Sequence, residues 1–80
     1  MIMNDFQEQI EKNMHDIRTV YPKKLTLSPK ELANLRCIST QTLARERTQG
    51  IGPAYLQKRT TIEYPIREVA KWLAETIKTS

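Results

Sequence analysis

The stretch LSPKELANLRCISTQTLARERTQGIGP, from Leu27 to Pro53, contains the signals that decide the fold. Ser28 is a good N-cap residue, Pro29 suits the first helical position, and Glu31 follows three positions after the serine. This spacing predicts a capping box at the start of a helix. The helix is short, and we expect it to end near Arg36–Cys37.

A second helix is predicted over residues 40–49, after an N-cap at Ser39 and before a left-handed residue at Gly50. Two short helices joined by a three-residue corner form a helix-turn-helix. Small or apolar residues stand where the two helices would cross and where the corner would close: Ala33, Cys37, Ile38 and Leu43. The alternative interpretation is an ordinary corner between two helices of a bundle.

The outer face of the second helix follows from helical geometry at about 100° per residue. When Leu43 points inward, Gln41, Arg45 and Thr48 point outward together, with Ala44 and Thr42 at the flanks. Arginine, glutamine and threonine carry the donors, acceptors and methyl groups that read base edges. The helix N-terminus, near Thr40, suits a phosphate. A merely solvated helix face is the alternative.

Three further elements surround this pair of helices. Residues 4–20 predict an amphipathic helix that Pro22 ends, and its apolar stripe is Phe6, Ile10, Met14 and Ile17. Residues 54–65 alternate weakly and predict two short strands around a turn at Arg59-Thr60. A last helix follows Pro65, with its apolar stripe at Ile66, Val69, Ala70, Leu73 and Ile77. The predicted fold is mainly α with a small β-hairpin.

Length and charge limit the possible functions. The 80 residues suffice for one domain with a small core, and the net charge is +4. Residues 1–20 contain four acidic and two basic residues, a net charge of −2, which leaves +6 on residues 21–80. A basic body behind an acidic N-terminal helix favours an anionic partner.

Several classes of protein find no support in the sequence. There is no pattern of catalytic triad, paired carboxylates or phosphate-binding loop, and His15 has no second ligand at metal spacing, so we expect no enzyme, no metal and no cofactor. No signal peptide or long apolar span is present, and Cys37 is the single cysteine. We therefore expect no membrane association and a reducing, cytoplasmic location.

Residues 25–75 resemble the excisionase-type, MerR-like winged helix-turn-helix domains. The matching positions are Leu27, Ser28, Glu31, Ala33, Ile38, Ser39, Thr42, Leu43, Gly50, Gly52, Pro53, Tyr55, Tyr64, Val69, Trp72 and Leu73. The resemblance implies a winged helix-turn-helix over 23–80. The N-terminal helix over 1–22, which the periodicity predicts, is an addition to that domain. The resemblance also implies DNA binding by the second helix in the major groove and by the hairpin wing on the adjacent backbone or minor groove.

The chain departs from that family's pattern in three places. Cys37 stands where the family has a glycine corner, so we expect the chain either to accept a mildly strained corner or to reshape it. The hairpin reads Arg59-Thr60-Thr61-Ile62-Glu63-Tyr64, so it lacks the family's glycine and two of its basic residues. Arg36 and Glu46 replace apolar residues that face each other, and we infer an ion pair between them. The alternative is that both side chains reach solvent.

We therefore expect a sequence-specific protein that binds double-stranded DNA, of phage or mobile-element type. It would act as a transcription regulator or as an excisionase-like recombination directionality factor, with an integrase as a further partner. The predicted base-reading residues are Gln41, Arg45, Thr48 and Ala44. The predicted backbone contacts are Ser39, Thr40, Thr42, Arg47, Lys58, Arg59, Thr60 and Thr61. The alternative is a protein-interaction or small-terminase-like DNA-packaging module that docks an acidic partner.

A single module of this size usually lacks operator-level specificity. We therefore expect a homodimer or cooperative assembly on DNA, with Phe6, Ile10, Met14 and Ile17 as dimerisation candidates. The other possibility is that this stripe closes over the core of its own domain.

Overall fold

The computed structural model describes residues 4–76, and these form four helices and a small antiparallel sheet. This arrangement confirms the mainly α architecture with a hairpin. The elements in chain order are α1 (Asp5–Val20), β1 (Thr26–Leu27), α2 (Pro29–Arg36), α3 (Thr40–Gln49), β2 (Leu56–Lys58), β3 (Thr61–Pro65) and α4 (Ile66–Thr76). Within the described residues, no helix is long and apolar enough to cross a membrane.

Helix α1 begins after Asn4, which is its N-cap and the first residue of the predicted range. The Oδ1 atom of Asn4 accepts a hydrogen bond of 2.8 Å from the backbone N–H of Gln7, and the helix ends before Pro22. Its apolar stripe packs against α4, and Asn13 Nδ2 donates to the carbonyl of Ala70 at 3.0 Å.

The stripe of α1 is covered by the chain itself. Ile10, Met14 and Ile17 belong to the core that the rest of the chain forms, whereas Phe6 is 41% exposed. Three of the four dimerisation candidates therefore cannot contact a second chain while this fold is intact. The structure favours the alternative in which the stripe closes over its own domain.

The sheet has one strand more than the predicted hairpin. Strand β1 pairs antiparallel with β3, with Thr26 opposite Pro65 and Leu27 opposite Tyr64, so β3 lies in the middle in the order β1-β3-β2. The prediction of two strands was incomplete because β1 is only two residues long. Such a segment has too few positions to show alternation.

The hairpin itself has the predicted turn. Strands β2 and β3 pair with Leu56 opposite Glu63 and Lys58 opposite Thr61, so Arg59 and Thr60 form the two-residue loop. Arg59 adopts φ 58°, a left-handed conformation that costs a non-glycine residue about 1 kcal/mol. The tip of the hairpin therefore holds a basic side chain on a strained backbone.

The helices and the sheet share one core, to which α1 contributes by packing on α4. The largest fully buried side chains of this core are Tyr64, Leu27, Leu32, Leu43, Ile66 and Val69. In α4 the predicted stripe is buried at Ile66, Val69 and Ala70, with Leu73 half-buried and Ala74 added. Ile77, the last predicted member of the stripe, lies outside the described residues.

Candidate nucleic-acid interface

Two caps fix the ends of α3. Ser39 Oγ accepts a hydrogen bond of 3.0 Å from the backbone N–H of Thr42, and Gly50 adopts φ 71° after the last helical residue. Both features confirm the predicted bounds of this helix. Leu43, which is fully buried, anchors the inner face of α3 on the core. The opposite face is consequently turned to solvent.

The predicted base-reading residues share that outer face. Gln41, Arg45 and Thr48 are exposed, and Ala44 is half-buried beside them. The hydroxyl of Thr48 donates to the backbone carbonyl of Ala44 at 3.0 Å, so its oxygen remains free to accept a further hydrogen bond. The chain therefore leaves the polar groups of Gln41 and Arg45 accessible to a partner.

Most of the predicted backbone contacts are accessible too. Ser39 and Thr40 are exposed at the start of α3, and Thr42 is half-buried with its hydroxyl 2.9 Å from that of Ser39. At the hairpin the whole predicted set is exposed: Lys58, Arg59, Thr60 and Thr61. The described residues thus present both an exposed polar helix face and an exposed basic hairpin tip.

Arg47 differs from the rest of this set. It is half-buried, and its Nη1 donates to the hydroxyl of the fully buried Tyr64 at 2.9 Å. It follows Leu43 by four positions, so helical geometry places it about 40° from the inward direction. Its predicted contact to a phosphate stays a prediction, but its guanidinium is engaged inside the domain.

The inferred pair of Arg36 and Glu46 is confirmed. Arg36 donates through Nη1 and Nη2 to the two carboxylate oxygens of Glu46, at 2.6 and 2.9 Å. The guanidinium carbon also lies 4.4 Å from the ring centroid of Trp72 in α4, and Trp72 Nε1 donates to the carbonyl of Ile51 at 3.0 Å. This cluster joins α2, α3, α4 and the loop after α3. The contact with Trp72 has no signal in the sequence.

Of the two outcomes expected at the corner between α2 and α3, the structure shows the strained one. Cys37 adopts φ 58° and ψ 41°, and its backbone N–H donates to the carbonyl of Asn34 at 3.2 Å. The next residue, Ile38, donates to the carbonyl of Ala33 at 3.0 Å. Cys37 thus ends α2 in the left-handed conformation that glycine usually supplies. Its side chain is exposed.

The start of α2 is fixed by charge as well as by its capping box. Glu31 accepts from the backbone N–H of Ser28 at 2.8 Å, and its two carboxylate oxygens lie 2.6 Å from Lys24 Nζ. The Lys24 ammonium, followed by the Ser28 N–H, holds the pKa of Glu31 below its ordinary value. The acidic hairpin residue Glu63 is likewise engaged, because Thr26 Oγ1 donates to it at 3.0 Å.

The described residues contain no group of three His, Cys, Asp or Glu side chains arranged to hold a metal ion. Comparison with known proteins finds no family model that matches the chain and no curated protein that matches it. The case for a function therefore rests on the geometry of α3 and the hairpin.

Proposed function

We propose that the chain binds double-stranded DNA as a winged helix-turn-helix protein, with α3 in the major groove and the β2–β3 hairpin on the adjacent backbone. One observation carries the proposal: Gln41, Arg45 and Thr48 are exposed on the outer face of a helix that Leu43 anchors from behind. The ten residues of α3 make a rod about 15 Å long. A rod of this kind fits a major groove about 12 Å wide.

The order of the elements supports the same arrangement. The two helices α2 and α3 meet at a left-handed corner, and the hairpin follows α3 directly. The exposed Lys58 and Arg59 at its tip suit phosphate oxygens, which attract cations whatever the sequence. The +6 charge on residues 21–80 has the sign that a polyanionic partner requires.

In this proposal, Arg45 and Gln41 provide the sequence specificity of DNA binding. They are four residues apart, so their side chains leave the same face of α3 one turn apart, about 6 Å along the axis. Arginine pairs with the acceptor edge of guanine and glutamine with adenine. The preferred site would contain a guanine and an adenine within about two base pairs of each other.

The biological role within this proposal is that of a transcription regulator or an excision-directing factor beside an integrase. Both need specific binding to duplex DNA. A homodimer or cooperative assembly on DNA stays a prediction, and it would need a surface other than the buried stripe of α1.

Fluorescence anisotropy with random-sequence duplex DNA at increasing salt tests the proposal. We expect binding at low salt, with the logarithm of the association constant falling linearly against the logarithm of salt by about 0.9 per phosphate contacted. Selection of preferred duplexes from a random pool then yields the site. A chain that binds no duplex at about 50 mM salt would refute the proposal and favour an acidic protein partner instead.

A further inference from the structure

Arg47 links the two elements that the proposed function brings to DNA, because it belongs to α3 and donates to Tyr64 of β3. It is on the inner side of α3, and it lines a crevice with the loop that follows this helix, up to Tyr55. Its neighbour Arg45 points the opposite way and is exposed. Arg45 and Arg47, two positions apart, therefore lie on opposite sides of the same helix.

The partner of Arg47 is held rigidly. Tyr64 is fully buried in β3, the middle strand, and pairs with Leu27 of β1. Its ring also lies 6.1 Å, centroid to centroid, from that of Tyr55. The same strand continues back to Thr61, opposite Lys58 at the hairpin tip. The hydroxyl of Tyr64 is thus a fixed point on the strand that carries the hairpin.

We propose that Arg47 is a positioning residue and not a phosphate ligand. Its 2.9 Å hydrogen bond to Tyr64 fixes the hairpin relative to α3, so that Arg45 and the Lys58–Arg59 tip can reach one duplex at the same time. This inference rests on the proposed function. A guanidinium suits the role because it is planar and permanently charged, and it keeps its orientation when it donates.

Two variants separate positioning from phosphate binding. Tyr64→Phe removes only the hydroxyl and leaves the packed ring, and Arg47→Gln removes the charge. The matched control is Tyr21→Phe, which removes another tyrosine hydroxyl that donates to the Glu31 carbonyl at 3.3 Å and accepts from Asn34, away from the hairpin. All three are compared with the unmodified chain.

The first measurement needs no DNA. Amide hydrogen exchange of the hairpin residues 56–63 should accelerate about tenfold in Tyr64→Phe and Arg47→Gln, because a hydrogen bond from a charged donor is lost. Tyr21→Phe should leave exchange in the hairpin unchanged. Exchange in the hairpin that stays at the wild-type rate in Tyr64→Phe would overturn the inference.

The second measurement is binding to duplex DNA at several salt concentrations. Both variants should bind the preferred duplex about tenfold more weakly with an unchanged salt slope, and the double variant should be no weaker than Arg47→Gln. A slope that falls by about one unit in Arg47→Gln would make Arg47 a phosphate ligand and overturn the inference. A wild-type chain that binds no duplex would overturn the proposed function and the inference together.

Discussion

Arg36 at the end of α2 and Glu46 in the middle of α3 form a bidentate ion pair, and each side chain is only 16% exposed. The Arg36 guanidinium lies over the ring of Trp72 in α4 as well. Charged groups this far out of water need their partners, since the loss of one leaves the other unpaired at a desolvated site. The pair and Trp72 therefore link α2, α3 and α4 to one another.

Arg36→Ala should destabilise the chain strongly. We expect a loss of about 2–4 kcal/mol in the free energy of unfolding, because Glu46 is left without its partner and Trp72 without its cation. Urea denaturation measures this loss. Arg67→Ala, which removes an exposed arginine of α4, is the matched control and should change stability by less than about 0.5 kcal/mol.

A second prediction concerns the replacement of both charged side chains by apolar ones. Arg36→Met combined with Glu46→Leu should recover most of the stability that Arg36→Ala loses, because an apolar contact of similar volume can replace a desolvated ion pair. Equal unfolding midpoints for Arg36→Ala and Arg67→Ala would show that the pair contributes nothing to stability.

A side chain at position 52 would crowd Glu46. A Cβ atom at Gly52 would lie 3.1 Å from both Cβ and Oε1 of Glu46, closer than a Cβ atom usually approaches other heavy atoms. Gly52→Ala should therefore cost about 1–3 kcal/mol in unfolding free energy, and about half of this cost should disappear in a Glu46→Ala background.

Gly50→Ala is the matched control for that experiment. The Cβ atom that this substitution adds has no neighbour within 4 Å, so its cost of about 1 kcal/mol in unfolding free energy comes from φ 71° alone. That cost should be the same in the Glu46→Ala background. A Gly52→Ala cost that is equally unaffected by Glu46→Ala would contradict the steric explanation.

Local sequence signals predicted the site's scaffold well. The capping box at Ser28, the N-cap at Ser39 and the left-handed end at Gly50 each depend on residues within one turn of each other, so they can be recognised without knowledge of the tertiary fold. Strand β1 was missed because its pairing depends on Tyr64, which is far away in the chain. Contacts of that kind exist only once the domain has closed.

Arg47 shows a different limit of sequence reasoning. Helical periodicity puts this residue near the inward direction of Leu43, although we predict from the sequence that it contacts the DNA backbone, which stays a prediction. A half-buried arginine needs a polar partner inside the domain, and the Tyr64 hydroxyl, which supplies it, could be identified only from the structure. Trp72 beside Arg36 belongs to the same class of tertiary contact.

The lowered pKa of Glu31 predicts that the stability of the chain depends on pH. Lys24 and the Ser28 N–H lower its pKa in the folded chain, so the unfolded chain binds a proton more readily. The contribution of Glu31 to the free energy of unfolding is complete when the pH is above the pKa of glutamate in the unfolded chain, about 4.3. It is lost as the pH falls through the lower pKa of the folded chain. Urea denaturation between about pH 2 and 6 should show this loss in the wild type.

Glu31→Gln should flatten that part of the profile, because the amide does not titrate. Glu11→Gln, at an exposed position of α1, is the control and should leave the profile unchanged. A Glu31→Gln profile that matches the wild type below pH 4.3 would exclude Glu31 as the source of the acid sensitivity.

Arg45 and Lys58 should have different effects on DNA binding. Arg45→Ala should reduce discrimination at one base pair by about 1–3 kcal/mol, because arginine reads the guanine edge. Lys58→Ala should weaken binding to all duplexes alike and reduce the salt slope by about one unit. Binding of both variants to preferred and scrambled duplexes over a salt series checks the two effects. An unaltered site preference in Arg45→Ala would show that α3 reads bases through other residues.

Arg59 should show opposite effects on stability and on DNA affinity. It holds φ 58° at the hairpin tip, where glycine would relieve the strain, so Arg59→Gly should raise the unfolding free energy by about 0.5–1 kcal/mol. The same change removes a phosphate-binding cation and should reduce the salt slope of DNA binding by about one unit. Arg59→Ala is the matched control, since it loses the charge but keeps the strain. It should bind DNA as weakly as Arg59→Gly without the gain in stability. If Arg59→Gly binds DNA as tightly as the wild type, the strained arginine serves no contact with DNA and the hairpin does not act as a wing.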